Sequence, residues 1–117
     1  MTEIRSLAAI ILITRDFAAQ AAFYRDVLKL PVTGDYGDAL FFRCGSQTLG
    51  LFDHSHHPAG TQRLEGAAKG VSHLEFGISA DDRAELVSRL TAAGCHVRSE
   101  NFEDADGNLF HFTITDD

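Results

Sequence analysis

Two short segments of the sequence alternate between apolar and polar residues, and this pattern constrains the fold more than any other feature. In residues 70–79 the apolar side chains of Leu74, Phe76 and Ile78 alternate with polar or small ones. Residues 109–115 repeat the pattern near the end of the chain. A period of two over this length is typical of a strand with one buried face. We therefore predict two half-buried strands.

The polar faces of these two strands carry the residues of a candidate site. His73 and Glu75 lie two positions apart on the first strand, and His111 and Thr113 lie two apart on the second. If the strands are neighbours with their apolar faces together, these side chains share one surface.

Two interpretations of this surface remain open. In one, His73, His111 and Glu75 bind a divalent metal as a set of two histidines and one carboxylate, with Fe, Mn, Zn or Ni as candidates. Glu75 would then serve as a metal ligand or as a catalytic general base. In the other, the two histidines form hydrogen bonds with each other or with a ligand, and no metal binds.

The remainder of the first half predicts a strand, a helix and two further strands. Residues 6–14 form a nearly continuous apolar segment that predicts a strand covered on both faces. Asp16 predicts the N-cap of a helix that runs from residue 17 to about residue 29 and is ended by Pro31. The other predictions are a turn around residues 34–37 and strands at residues 39–44 and 47–53.

The second half repeats this order after a long irregular segment, so the chain resembles a duplicated unit. Asp81 predicts the cap of a helix at residues 82–93, and Gly94 predicts its end. A strand at residues 95–100 and a hairpin turn at residues 104–108 precede the final strand. A unit with one helix covers only one face of its sheet, so two such units can enclose a cleft.

Composition excludes several classes of function. The chain has 117 residues and a net charge of −7 without a basic stripe, which disfavours nucleic acid as a partner. The longest apolar run is too short to cross a membrane, and no signal peptide is expected.

Cys44 and Cys95 are isolated, as expected of reduced thiols in a cytoplasmic protein. His54, His56 and His57 lie in the irregular segment, where solvent-exposed imidazoles are the usual outcome.

Three segments resemble the vicinal oxygen chelate superfamily, which includes glyoxalase I, bleomycin- and fosfomycin-resistance proteins and extradiol dioxygenases. They are Asp16 with Ala-Phe-Tyr-Arg-Asp-Val-Leu at residues 22–28, Gly-Val-Ser-His-Leu at residues 70–74, and Asp-Ala-Asp-Gly-Asn-Leu at residues 104–109. The resemblance implies an α+β fold of two βαβββ modules, whose curled mixed sheets form a cleft, usually in a homodimer. It places module 1 at about residues 1–53, a linker at 54–69 and module 2 at 70–117 of a single domain. It also implies that the first and last strands of each module are neighbours. Facing positions on antiparallel strands have Cβ atoms about 4.5–5.5 Å apart, so we then expect His73 to lie opposite His111.

The resemblance also indicates at which positions this chain differs from the metal ligands usual in the superfamily. The positions of the superfamily's metal ligands fall on Ala9, Gly50, His73 and His111, so two of the usual ligands are replaced by residues without a donor side chain. This replacement disfavours glyoxalase I activity.

The resemblance places an apolar wall that includes Ile11 and Phe52 opposite the histidines. We expect this wall and Thr113 to contact a small amphipathic molecule, aromatic ones included. The expected function is small-molecule binding with metal-assisted lyase, isomerase or dioxygenase chemistry. The alternatives are a metal-free binding or sequestration protein of the bleomycin-resistance type, or a catalytically idle scaffold.

Overall fold

The computed structural model describes residues 7–56, 73–98 and 101–115, which form two four-stranded sheets and two helices. The first sheet consists of β1 (Ala9–Thr14), β2 (Val32–Asp35), β3 (Ala39–Cys44) and β4 (Gln47–Asp53). The second consists of β5 (Leu74–Ile78), β6 (Val97–Arg98), β7 (Asn101–Glu103) and β8 (Leu109–Ile114). Helix α1 (Phe17–Ala22) follows β1, and helix α2 (Arg83–Ala92) follows β5. The predicted α+β class is confirmed.

Both sheets have the same topology, with strand orders β1-β4-β3-β2 and β5-β8-β7-β6. The prediction that the first and last strands of each half are neighbours is therefore confirmed. The expectation that these neighbours pair in antiparallel fashion was wrong, because β1 is parallel to β4 and β5 is parallel to β8. In the first half, a helical crossover leads from β1 to β2, and the antiparallel pairs β2–β3 and β3–β4 then return β4 to the direction of β1.

Strand boundaries agree with the sequence predictions where the pattern is local. β3 and β4 begin and end at the predicted residues. β1 begins at Ala9 rather than residue 6, and Ile10 and Ile11 are exposed, so this strand is not covered on both faces. The predicted strand at residues 95–100 is replaced by the two short strands β6 and β7.

Some sequence predictions lie outside the described residues. They are the linker from residue 57 onward, which includes His57, the segment at residues 70–72 and the positions 99–100.

Helix α1 begins as predicted but ends differently. The Asp16 carboxylate accepts a hydrogen bond from the Ala19 backbone N–H at 3.1 Å, which confirms the N-cap. A π-helical turn (Phe23–Val27) continues the helix. The backbone then reverses at Lys29, which has a φ of 57°, so the helix ends before Pro31 could restrict it.

Helix α2 ends at Gly94 as predicted, but the predicted N-cap at Asp81 was wrong. The side chain of Ser79, not that of Asp81, accepts a backbone hydrogen bond, and a 3₁₀ turn (Ala80–Asp82) precedes the helix. At the other end, Gly94 has a φ of 75°, its N–H donates to the Thr91 carbonyl, and the Cys95 N–H donates to the Leu90 carbonyl. This pair of bonds is a Schellman motif.

One hydrophobic core is shared by the two halves. Its buried residues from the first half are Ala21, Phe23, Tyr24, Leu28, Leu40, Phe42, Leu49 and Leu51, and those from the second are Leu90, Phe102 and Phe110. The Phe23 and Phe110 rings meet edge to face across the two halves, with centroids 5.9 Å apart. Neither helix of the described chain has the length and apolar character needed to cross a bilayer.

A buried carboxylate also joins the halves. Asp104 lies in the turn between β7 and β8, which confirms the predicted hairpin, and its side chain accepts five hydrogen bonds. Two come from α1 and its extension, from the Gln20 amide at 2.9 Å and from the Tyr24 hydroxyl at 2.6 Å. The others come from the backbone of Asp106 and from the backbone and side chain of Asn108.

Candidate metal and ligand site

The polar face of the second sheet brings His73, Glu75 and His111 together. The Nε2 atom of His73 lies 3.0 Å from one carboxylate oxygen of Glu75, and the Nε2 atom of His111 lies 3.4 Å from the other. The two imidazole centroids are 4.5 Å apart. One donor atom from each residue lies within 4.8 Å of the other two. The sequence-based expectation that these three side chains share one surface agrees with this arrangement.

The register within this cluster differs from the expected one. Because β5 and β8 are parallel, Glu75 lies directly opposite His111, whereas His73 lies just before β5 begins. His73 reaches the cluster because it is two positions from Glu75 and therefore on the same face. The carboxylate consequently contacts both imidazoles.

Two neighbouring side chains orient the cluster. The hydroxyl of Thr113 donates to Glu75 at 2.7 Å. The side-chain oxygen of Asn101 on β7 lies 3.2 Å from Nδ1 of His111. The sequence-based reasoning missed Asn101 because the preceding strand was predicted to end at residue 100. The alternation of Asn101, Phe102 and Glu103 around one buried phenylalanine is the signal that could have placed it on the polar face.

These contacts favour the ionised form of Glu75. The Thr113 hydroxyl is the largest of the influences that lower the pKa of the Glu75 carboxyl, followed by the hydrogen bond with His73. Glu75 is therefore a carboxylate at neutral pH. In this form its oxygens can bind a cation.

The donor set fits a divalent cation. Imidazole nitrogen and carboxylate oxygen bind zinc at about 2.0–2.2 Å, so adjacent ligand atoms on such an ion lie about 3–3.5 Å apart. The two nitrogen–oxygen distances at Glu75, 3.0 and 3.4 Å, match this spacing. Three protein ligands also leave coordination positions for a small molecule.

A cavity of about 1140 Å³ adjoins the cluster and is lined by both sheets. His73 and Glu75 lie on its wall, and Ile10 and Leu49 of the first sheet contribute apolar surface. Arg43, with neighbouring residues of the β3–β4 turn, adds polar surface. Ligand sites commonly have volumes of about 300–1,000 Å³, so this space is large enough for a small molecule.

The predicted apolar wall of Ile11 and Phe52 does not line this cavity. Ile11 and Phe52 are on the opposite face of the first sheet from Ile10 and Leu49, and the cavity beside His73 is lined by the latter pair. Gly50 lies on the same face as Ile11, and a Cβ atom at Gly50 would overlap the Cδ1 atom of Ile11. The space next to a missing metal-ligand position is therefore occupied by an apolar side chain.

His54 and His56, which follow β4, lie apart from the cluster formed by His73, Glu75 and His111. His54 and His56 belong to a 3₁₀ turn, and Nε2 of His56 lies 2.7 Å from a carboxylate oxygen of Asp38. The His56 ring also meets the edge of Phe52 at a centroid distance of 5.8 Å. This turn adds no ligand to the cluster around Glu75.

Comparison with solved structures finds the same fold in several proteins. A lactoylglutathione lyase from Agrobacterium tumefaciens is 27% identical, with a TM-score of 0.61 over 97% of this chain and 96% of that one. A variant of the fosfomycin resistance protein FosX from Listeria monocytogenes, complexed with Mn(II) and 1S,2S-dihydroxypropylphosphonic acid, is 20% identical. Its TM-score is 0.70 over 94% of this chain and 90% of that one. A glyoxalase-related enzyme from Fulvimarina pelagi is also 20% identical, with a TM-score of 0.67 over 96% and 89% of the two chains.

Sequence comparison identifies the family. No curated protein sequence is significantly similar to the chain. The family described as the Glyoxalase/Bleomycin resistance protein/Dioxygenase superfamily matches residues 6–117, which is nearly the whole chain. The chain therefore belongs to the Glyoxalase/Bleomycin resistance protein/Dioxygenase superfamily.

Proposed function

We propose that this protein binds a small amphipathic molecule in the cavity beside β5, and that His73, Glu75 and His111 hold a divalent cation at its wall. The observation that carries the proposal is the convergence of two imidazole nitrogens on one carboxylate, at 3.0 and 3.4 Å. Histidine and carboxylate ligands suit Fe, Mn, Zn and Ni ions. The apolar residues of the cavity would contact the carbon skeleton of the ligand.

Each residue of the cluster has a defined role in this proposal. His73 and His111 supply neutral nitrogen ligands, and Glu75 supplies the negative charge. Thr113 holds the Glu75 carboxylate by a 2.7 Å hydrogen bond and keeps it ionised. When bound, a divalent cation would act as a Lewis acid on a carbonyl or hydroxyl oxygen of the ligand, which suits lyase and isomerase chemistry, whereas dioxygenase chemistry would require a redox-active ion such as Fe²⁺ and O₂.

Metal binding by the purified protein tests the proposal. We expect protein made without a histidine tag to bind one equivalent of Mn²⁺ in a titration followed by electron paramagnetic resonance. His73→Ala and His111→Ala should each weaken binding by more than about 100-fold, since losing a ligand costs more than losing a supporting residue. His56→Ala is the matched control, because His56 pairs with Asp38 outside the cluster. Absence of stoichiometric Mn²⁺, Fe²⁺, Zn²⁺ and Ni²⁺ binding would refute the metal site.

A second candidate function is metal-free binding or sequestration of the same class of molecule. It is favoured by the hydrogen bonds that Glu75 already receives from Thr113 and shares with His73, since these satisfy the carboxylate without a cation. Under this alternative, ligand affinity would be unchanged after treatment with a chelator. Under the metal-dependent proposal it would fall.

We also propose that the protein forms a homodimer in which the outer face of the first sheet, the face that carries Ile11 and Phe52, is covered. Ile11 on this face is 47% exposed, and the rings of Phe41 and Phe52 on the same face meet edge to face with centroids 5.5 Å apart. A second copy would bring Ile11 and Phe52 opposite the polar face of its partner, where they would form the apolar wall that faces the histidines. This arrangement would complete the ligand site with residues from both chains.

A further inference from the structure

We propose that Asn101 is a positioning residue that fixes the tautomer of His111 and so directs an unprotonated ring nitrogen toward Glu75. The effect on the tautomer is independent of any metal. Its consequence for cation binding rests on the function proposed above.

The argument begins with the hydrogen bond between Asn101 and His111. The side-chain oxygen of an asparagine can accept a hydrogen bond but cannot donate one. This oxygen lies 3.2 Å from Nδ1 of His111, and the two atoms form a hydrogen bond only when Nδ1 carries a proton. A neutral imidazole has a single N–H, so the Nε2 atom of His111 then presents a lone pair.

That lone pair faces another acceptor. Nε2 of His111 lies 3.4 Å from Oε1 of Glu75, and the same carboxylate oxygen accepts the hydrogen bond of Thr113. Two acceptors that face each other without a proton between them repel, and a cation placed between them relieves the repulsion. Without the Asn101 bond, neutral His111 could instead carry its proton on Nε2 and donate to Glu75. Asn101 therefore keeps the position between the two groups open for a cation.

Asn101 is held on a rigid part of the second sheet. Phe102 is buried and pairs with Phe110 on β8, with ring centroids 5.7 Å apart. Alternation along β7 then places Asn101 on the face that carries His111. Immediately after β7, the five hydrogen bonds of Asp104 fix the turn into β8. Functional groups held by such elements keep their orientation better than groups on loops.

Two substitutions test the proposal in the metal-free protein. Asn101→Leu has a similar volume but no acceptor, whereas Asn101→Asp keeps an acceptor at the same position. Two-bond proton–nitrogen correlation spectra distinguish the two tautomers of a neutral histidine. We expect Nδ1–H for His111 in the wild type and in Asn101→Asp, and Nε2–H in Asn101→Leu. Equal thermal unfolding midpoints would verify that the variants are folded, and Asn101→Ala replaces Asn101→Leu if the latter is not.

The affinity for Mn²⁺ provides the second measurement. Loss of a residue that orients a metal-binding histidine typically weakens affinity about 10–100-fold, and we expect this loss in Asn101→Leu. Asn101→Asp should bind Mn²⁺ at least as tightly as the wild type. An Nε2–H tautomer in the wild type, or an unchanged tautomer in Asn101→Leu, would overturn the proposal. If the tautomer changes as expected but no variant binds a metal, the positioning role stands and the proposed metal-dependent function fails.

Discussion

At the scale of single residues, Asp104 shows how this fold accommodates a buried carboxylate. Its side chain is only 6% exposed, and a charge in that position is tolerated only when it is extensively hydrogen-bonded. The donors come from the Asn108 turn and from Gln20 and Tyr24 in the other half of the chain. The second half therefore depends on α1 for part of its stability.

Substitution of Tyr24 measures this dependence. Tyr24→Phe removes the 2.6 Å hydrogen bond to Asp104 without changing the ring. Because hydrogen bonds to charged groups contribute about 1.5–3 kcal/mol, we expect the free energy of unfolding to fall by about that amount. Urea denaturation followed by circular dichroism would measure it. Tyr36→Phe is the control, since Tyr36 is 70% exposed and its loss should cost no more than about 0.5 kcal/mol.

The pH dependence of stability gives an independent check on Tyr24. Burial, the charge of Asp104 and their hydrogen bond raise the pKa of the Tyr24 phenol well above its ordinary value of 10.0. A pKa that is higher in the folded state contributes stability below pH 10, and this contribution is lost as the pH rises from 10 toward the folded pKa. The wild type should therefore lose stability across this range more steeply than Tyr24→Phe. Equal slopes would contradict the assigned hydrogen bond.

The sequence predicted the residues of the cluster better than it predicted their contacts. His73, Glu75 and His111 could be placed on one surface because strand alternation is a local property of the sequence. The pairing of Glu75 with His111 across β5 and β8 could not be predicted, because the register of parallel strands depends on how the chain crosses between them. The contact of Asn101 with His111 likewise depends on the pairing of β7 with β8.

At the scale of elements, the two helices end in backbone conformations that suit different residues. Both chain reversals use a positive φ, of 57° at Lys29 after α1 and of 75° at Gly94 after α2. An L-residue with a side chain pays about 1–2 kcal/mol for this conformation, whereas glycine does not. The glycine after α2 was predictable from the sequence, but the strained lysine after α1 was not, because nothing local distinguishes it.

Exchanging the residue types at these two positions tests the explanation. Lys29→Gly should raise the free energy of unfolding by about 0.5–1 kcal/mol, since the relief of strain exceeds the added flexibility of glycine in the unfolded chain. Gly94→Ala should lower it by about 1 kcal/mol or more. Thermal or urea unfolding of both variants measures the effects. Changes of the same sign in the two variants would contradict this account.

Strand β2 illustrates an element that local pattern could not provide. Val32–Asp35 contains a glycine and an aspartate, both of which are uncommon in strands and typical of turns. It is nevertheless a strand because it pairs with β3, with a register irregularity between Val32 and Gly34. Tertiary pairing therefore overrides the local preference at this edge of the first sheet.

At the scale of the whole molecule, the repeated order of elements predicted the two similar sheets, but not what each sheet face contacts. Ile11 and Phe52 were predicted from the resemblance to face the histidines, yet within one chain they lie on the outer face of the first sheet. Which surface meets them depends on assembly, and a single sequence carries no direct signal for it. The homodimer proposed above would bring this face and the histidines of two chains together.

Sedimentation velocity of a surface variant tests that assembly. We expect the wild type to sediment as a dimer and Ile11→Lys to weaken the dimer by about 100-fold or more, because an unpaired charge buried in an interface costs about 3 kcal/mol. Val97→Lys is the matched control, since Val97 is an exposed apolar residue at the edge strand of the other sheet. A monomeric wild type, or equal dissociation of both variants, would contradict the proposed interface.

The contact between Phe23 and Phe110 has a consequence for how a chain with two similar halves can evolve. Each repeat relies on an aromatic ring supplied by the other, so an insertion or recombination that replaced one repeat alone would leave its counterpart with exposed apolar surface. Sequence change on either side of this contact is constrained by the opposite repeat. The two halves are thus free to diverge in the residues that face ligands. Substitutions in the core that they share must instead be compensated in the other half.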